Sequence, residues 1–448
     1  MARQAHSPLP QPVFHEPIFS EGRPTSSPTG FRTQHPSDDA TYNQVKELLK
    51  TEVVSFKKSR GADGDVFSLQ DAYGSHGAQV IQKIKDAGKI SFHAFGDSGA
   101  SNVRKYANEL RVADQVTLDC GRSDDPNRPA FLYHLGDIVY SFGEAKYYYD
   151  QFYEPFRSYP APIFAIPGNH DSFVIPGTAA ADTPLTTFTR NFCAEAPVIT
   201  PEAASLHRTA MTQPGVYFAL DAPFVRIIGL FSNALEDPGL ISSEDAHWSQ
   251  VPDFQLAFLT AQLRRIKQES YKGAVLLAVH HPPFAYAPPR ESGAAGGNHS
   301  SSSDMLRQID TICKQEGVYP HAFLSAHAHN FQRYTRIVEF GGRDFDVPFI
   351  VCGDGGHNVN PLVRSQQGVP AVEPHNGTRV DYLESRPVLP AKELILEKYD
   401  DTNYGYLRIQ ADKDLLKIGF HQVGVSSLAQ SRFDMVTVQL ADHTMIAN

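Results

Sequence analysis

Five short apolar runs, each closed by a cluster of oxygen and nitrogen donors, constrain this chain more than any other feature. They are ISFHAF to residue 95, AFLYHL to 135, PIFAI to 166, AVLLAV to 279 and HAFLSA to 326. Runs of strand length that are apolar throughout, rather than alternating, suit strands covered on both faces. Stretches with helical spacing lie between several of them, at 100–117, 143–156, 254–268 and 303–316. Buried strands alternating with helices imply an α/β layered body. GVYFAL, FVRIIGL, YGYLRIQ and LLKIGFHQV alternate and predict further strands. Ahead of the first run, residues 1–38 are rich in Pro, Ser and His without a period, which predicts an extended arm. Helical spacing then recurs at 41–58 and at 77–88, the second stopped by a glycine.

Composition sets the outer bounds. With 41% hydrophobic and 11% aromatic residues in 448, the chain can bury a sizeable core, which excludes wholesale disorder. A net charge of −10 argues against wrapping nucleic acid through its phosphates, though local cations can still draw a small anionic substrate. Four scattered cysteines without a CxxC read as ordinary buried thiols. No 18-residue apolar run and no leader-like apolar segment occur, so a soluble cytoplasmic protein is the expectation, with secretion left open. Two sequons, at Asn298 and Asn376, do not alter it. The oligomeric state has no signature.

Catalytic groups on α/β sheets collect beyond the carboxyl ends of strands. Following each run to its end gives Asp97 in GDSG, Asp137 and Tyr140 in GDIVY, Asn169, His170 and Asp171 in GNHD, His280 and His281 in HHPP, and His327 and His329 in AHAHN. Two carboxylates, a phenol, an amide oxygen and three or four imidazoles exceed the four ligands of a structural zinc. They suit two ions side by side, with Asp137 as the bridge because a carboxylate can reach both. His327 and His329 stand two apart at a strand exit and can serve one ion each. Tyr140, three residues after Asp137, would face the same site if the chain turned helically there, and a phenolate favours a trivalent cation.

This ordered set resembles the calcineurin-like metallophosphoesterases, and more narrowly the purple acid phosphatase branch. GDSG at 96–99, GDIVY at 136–140, GNHD at 168–171, AVHHPP at 278–283 and SAHAHN at 325–330 carry the likeness. It spans roughly residues 90–425, and GDxxY is the branch's own mark. The resemblance implies a four-layer α/β/β/α sandwich in which two mixed β-sheets are flanked by helices. An N-terminal arm and helical extension (1–89) and a C-terminal tail (426–448) would flank that catalytic domain.

By the same resemblance, Asp97, Asp137, Tyr140 and His329 would hold a ferric ion, and Asp137, Asn169, His280 and His327 a divalent iron, zinc or manganese. His170 would be the catalytic acid and Asp171 would orient it. His281, and His299 in the flexible 290–304 loop, would lie on the substrate side. The implied reaction is hydrolysis of a small phosphomonoester by a metal-activated hydroxide, with no covalent enzyme intermediate. A phosphodiesterase acting on cyclic nucleotides or lipid head groups shares this core, and an inactive metal-binding scaffold is the reading from another class. Ala326 replaces the family's glycine before HxH. The CGDGGHN segment, with Asp354 and His357, reads as structural, Arg333 as a salt-bridge partner, and Tyr147, Tyr148 and Tyr149 as packing.

Overall fold

The computed structural model describes residues 16–20, 52–60, 66–121, 125, 127–175, 182–204, 206–286, 300–363, 373–380, 391–424 and 430–446. Strands in its first half are β1 (Val66–Ser68), β2 (Lys89–Phe95), β3 (Leu132–His134), β4 (Ile163–Ala165), β5 (Phe218–Ala222), β6 (Val225–Leu230), β7 (Ala274–Val279) and β8 (Ala322–Ser325). Those in its second half are β9 (Phe331–Phe340), β10 (Arg343–Cys352), β11 (Thr378–Arg379), β12 (Ala391–Asp400), β13 (Tyr404–Asp412), β14 (Leu415–Val423), β15 (Gln430–Gln439) and β16 (Met445–Ile446).

They build two mixed sheets. One has the order β1-β5-β6-β7-β8-β10-β9-β12-β11, the other β16-β15-β14-β13-β2-β3-β4. Each has a parallel part: β6, β7, β8 and β10 in the middle of the first, β2, β3 and β4 at one end of the second. All five apolar runs lie in these parallel parts. Rings interlock between the sheets, with Tyr133 stacked on Phe218 at 6.0 Å and Phe331 on Phe420 at 4.0 Å. Full burial of one such ring contributes about 2 kcal/mol.

Helices cover the outer faces. Val103–Asp119 starts where the Asn102 side chain accepts from the Lys105 N–H, and it buries Tyr106, Leu110, Ala113 and Val116 at helical spacing. Phe254–Gln268 and Ser303–Glu316 pack together over the other sheet. The latter ends at Gly317, whose φ of 71° suits only a residue free of a Cβ penalty. A fully buried Arg336–Asp310 pair, 2.7 Å apart and joined by the Tyr319 hydroxyl, pins that helix to β9. No helix among the described residues is long and apolar enough to cross a membrane.

Three local expectations change. Within 41–58, the described residues 52–58 run without helix. Tertiary contacts override the periodicity there: Val54 donates to the Ala234 carbonyl, and the Arg60 guanidinium reaches the carbonyls of Cys193, Ala194 and Gln213. Residues 143–156 form a 3₁₀ turn at Ala145–Tyr147 and a π turn at Tyr149–Tyr153 instead of one α-helix. Within the span read as a tail, β15 pairs antiparallel with β14 and β16 with β15, extending the second sheet. The four cysteines are free and buried, and Arg333 pairs with Asp434 at 2.6 Å.

Candidate metal centre

The parallel strands of both sheets end at one edge, and their exit loops turn sharply. Asp97, Asp137 and His327 adopt left-handed backbone conformations, with φ of 55°, 57° and 66°. Such angles are uncommon outside glycine, and they persist only where surrounding contacts over-determine them. Those contacts are present. Asp97 N–H donates to the Gly136 carbonyl at 2.9 Å, and His327 N–H to Asp97 Oδ2 at 2.7 Å. Gly168 packs so close to Asp137 that any Cβ there would collide with its carboxylate.

The side chains converge as two groups. Donor atoms of Asp137, His280 and His327 lie within 4.8 Å of one another, and so do those of Asp97, Asp137 and His329. Asn169 joins the first group, its Oδ1 being 3.2 Å from His280 Nε2 and 3.1 Å from His327 Nδ1. Tyr140 joins the second. Its hydroxyl lies 2.7 Å from Asp97 Oδ1, 2.8 Å from Asp137 Oδ2 and 3.1 Å from His329 Nε2. Bends rather than a helical turn carry the chain from Asp137 to Tyr140. Gln151, on the π turn, holds Tyr140 by its backbone, accepting from its N–H and donating to its carbonyl, both at 2.7 Å.

Charge within this cluster is unbalanced. Asp97 and Asp137 are fully buried, with the Tyr140 phenol between them. Burial, followed by Asp137 and Asp97, pushes the Tyr140 hydroxyl far above its ordinary range. Burial also works to raise Asp137, but the imidazoles of His280 and His170 hold it well below the carboxylate range. His280, despite burial, is pushed up to about 9 by Asp137. Buried anions of this density require compensating positive charge. Hard oxygen donors with imidazoles, in two four-donor sets, fit two small cations of charge two or three. His280 is prepared for that role because its Nδ1 donates to the Leu135 carbonyl at 2.8 Å, which turns Nε2 toward the site.

Other expected residues sit differently. Asp171 was expected to orient His170, but its carboxylate accepts from the N–H groups of Gly168, Ile138 and Val139 at 2.9, 3.0 and 3.1 Å. It thereby ties the GNHD turn to the GDIVY loop. A backbone group meets the His170 ring instead: Nδ1 donates to the Ser141 carbonyl at 2.7 Å. His281 is buried beside His327, at 4.1 Å between ring centres, and not at an open surface. His299 lies outside the described residues. His357 stacks on Tyr140 at 3.4 Å and is held by the Gly99 carbonyl and the Lys105 ammonium, at 2.6 and 2.9 Å.

Sequence reasoning missed the exit of β6. There Glu236, buried, places both carboxylate oxygens 3.4 Å from Asn169 Nδ2. Burial, with Asp237 adding, pushes its carboxyl up to about 8. Three residues earlier, Asn233 satisfies both ends of its amide when Oδ1 accepts from Asn169 N–H at 3.0 Å and from His281 Nδ1 at 3.1 Å. Carrying FVRIIGL past its end, as for the other runs, reaches Asn233, three positions on, while Glu236 lies six positions on.

The calcineurin-like phosphoesterase family matches residues 90–331. No curated protein matches the chain. Solved structures similar to it include GAP50, the anchor in the inner membrane complex of Plasmodium, at 11% identity over 77% of this chain and 88% of that one, with a TM-score of 0.45. PhoD is similar at 13% identity over 80% and 72%, with a TM-score of 0.47. A Vps29 single mutant from Entamoeba histolytica is similar at 9% identity over 78% and 99%, with a TM-score of 0.29. The family match covers more than half the chain and takes in all five strand exits, so the chain belongs to the calcineurin-like phosphoesterases, typically metal-dependent hydrolases.

Proposed function

We propose that this chain hydrolyses phosphomonoesters at a dinuclear centre, in the purple acid phosphatase-like branch of its family. The observation that carries this reading is the pair of four-donor clusters that share Asp137. Asp97, Asp137, Tyr140 and His329 would hold the first ion, ferric; Asp137, Asn169, His280 and His327 would hold a divalent second. When bound, two such cations neutralise charge on the phosphoryl group and lower the pKa of a water beside it.

The chain's own groups supply the remaining work. The Ser141 carbonyl fixes the His170 ring through Nδ1, which leaves Nε2 of the protonated ring as the atom that delivers a proton to the departing oxygen. His170 N–H donates to Asp137 Oδ1 at 2.9 Å, so the acid is registered against the shared carboxylate. Asp171 acts by locking the two loops, a positioning role. His281 supports the site through Asn233.

Metal analysis with a visible spectrum tests this. The expected protein carries two metal ions, with an absorption band lost in Tyr140→Phe, and cleaves a monoester faster than the corresponding bis-ester. A colourless zinc or manganese protein would remove the branch, and faster bis-ester cleavage would remove the substrate class.

A further inference from the structure

Every proposed ligand emerges from the end of a parallel strand, yet one of them cannot align itself. An asparagine amide presents either oxygen or nitrogen to a cation, and only the oxygen binds. At Asn169 the choice is made by the loop that leaves β6. Glu236 faces Asn169 Nδ2 with both carboxylate oxygens at 3.4 Å, which requires nitrogen on that side and directs Oδ1 at His280 and His327. Asn233 holds the same residue by its backbone N–H, at 3.0 Å, and also receives His281 Nδ1. Glu236 is 5% exposed and Asn233 fully buried, so neither is a solvated surface group.

We infer that Glu236, seconded by Asn233, is a positioning residue that fixes the amide orientation of Asn169 and thereby sets the affinity of the second ion. This rests on the reading above, in which Asn169 is a ligand of that ion. An acceptor oxygen behind the amide also draws its N–H dipole away from the cation, leaving Oδ1 the richer donor. Replacing Asn169 by aspartate should abolish this influence, because a carboxylate has no wrong end.

The test is a double-mutant cycle on the full chain, stripped of metal and titrated with Zn2+ or Mn2+ while bound metal is counted. Glu236→Gln is expected to weaken the second ion about 10-fold and Glu236→Ala about 100-fold, with the first ion unchanged. In the Asn169→Asp background the effect should vanish, the double variant binding the second ion as tightly as Asn169→Asp alone. A role in packing alone would weaken binding equally in both backgrounds, and that result overturns the inference, as does an unchanged affinity in Glu236→Gln. Should Glu236→Ala fail to fold, the isosteric Gln cycle decides by itself. The reading beneath fails separately: wild-type protein would then take up fewer than two ions, or His280→Ala would leave the second ion in place.

Discussion

The two sheets make unlike contributions to the site. Every candidate ligand from the seven-stranded sheet offers oxygen: Asp97 after β2, Asp137 and Tyr140 after β3, Asn169 after β4. Every one from the nine-stranded sheet offers an imidazole: His280 after β7, His327 and His329 after β8. Neither half is a metal site alone. The oxygen half would leave buried anions uncompensated, and the imidazole half lacks a bridge. The centre therefore exists only where the sheets meet, and ions bound there would act as a clasp across the seam.

Removing the shared oxygen is the strongest way to break this picture. Asp137→Ala should release both ions and lower hydrolysis by about 10^3-fold or more, whereas His280→Ala should release one. Equal metal loss in the two variants, by elemental analysis, would contradict a shared bridge.

Chelation probes the clasp itself. With each free ion at about 100 times its dissociation constant, binding stabilises by about 3 kcal/mol per ion, about 5 kcal/mol for both. Metal-stripped protein should therefore have its unfolding free energy lowered by about that much, read as a lower urea midpoint. Identical midpoints would mean that the native state holds no such ions.

The opposite edge offers the smallest and sharpest contrast. β8 carries a histidine at its entry too: His321 accepts from Val275 N–H at 3.0 Å through Nδ1 and reaches the Leu440 carbonyl of the other sheet's end at 3.1 Å through Nε2. His443 stacks on it at 4.1 Å. Burial pushes His321 down to about 4, so it folds as the neutral ring. Its folded value is below the unfolded one near 6.5, so its contribution is complete above pH 6.5 and lost as pH falls toward 4. The expected loss is about 3 kcal/mol at most, read as acid-dependent urea stability that flattens in His321→Gln. An unaltered profile would remove His321 as a seam at that edge.

Legibility in the sequence followed the same division. Parallel strands buried on both faces write themselves as apolar runs, and a donor placed directly behind such a run can be read off, as with Asp97 and His327. The long antiparallel strands β9 and β12 bury one face unevenly, with exposed Glu393 and half-buried Arg333, and show no such run. Roles performed by backbone atoms are invisible altogether. Nothing about Ser141 as a residue announces that its carbonyl, rather than Asp171, would hold His170. Gln151 became a brace for Tyr140 only because a π turn aims it there. Glu236 lies six positions beyond β6, outside the immediate exit where donors are sought.

A strand ahead of the stretch shared with the family still matters to it. β1 pairs in parallel with β5 through Val66, Phe67 and Ser68, and Phe67 reaches Phe164 of the other sheet at 5.8 Å. Cutting the chain at residue 90 would remove nothing from the chemistry and would uncover the β5 edge. An open row of N–H and C=O groups beside an apolar face invites other chains to add themselves as the missing strand. The three residues of β1 act as a hem that keeps a phosphoesterase core from being copied edge to edge into aggregate.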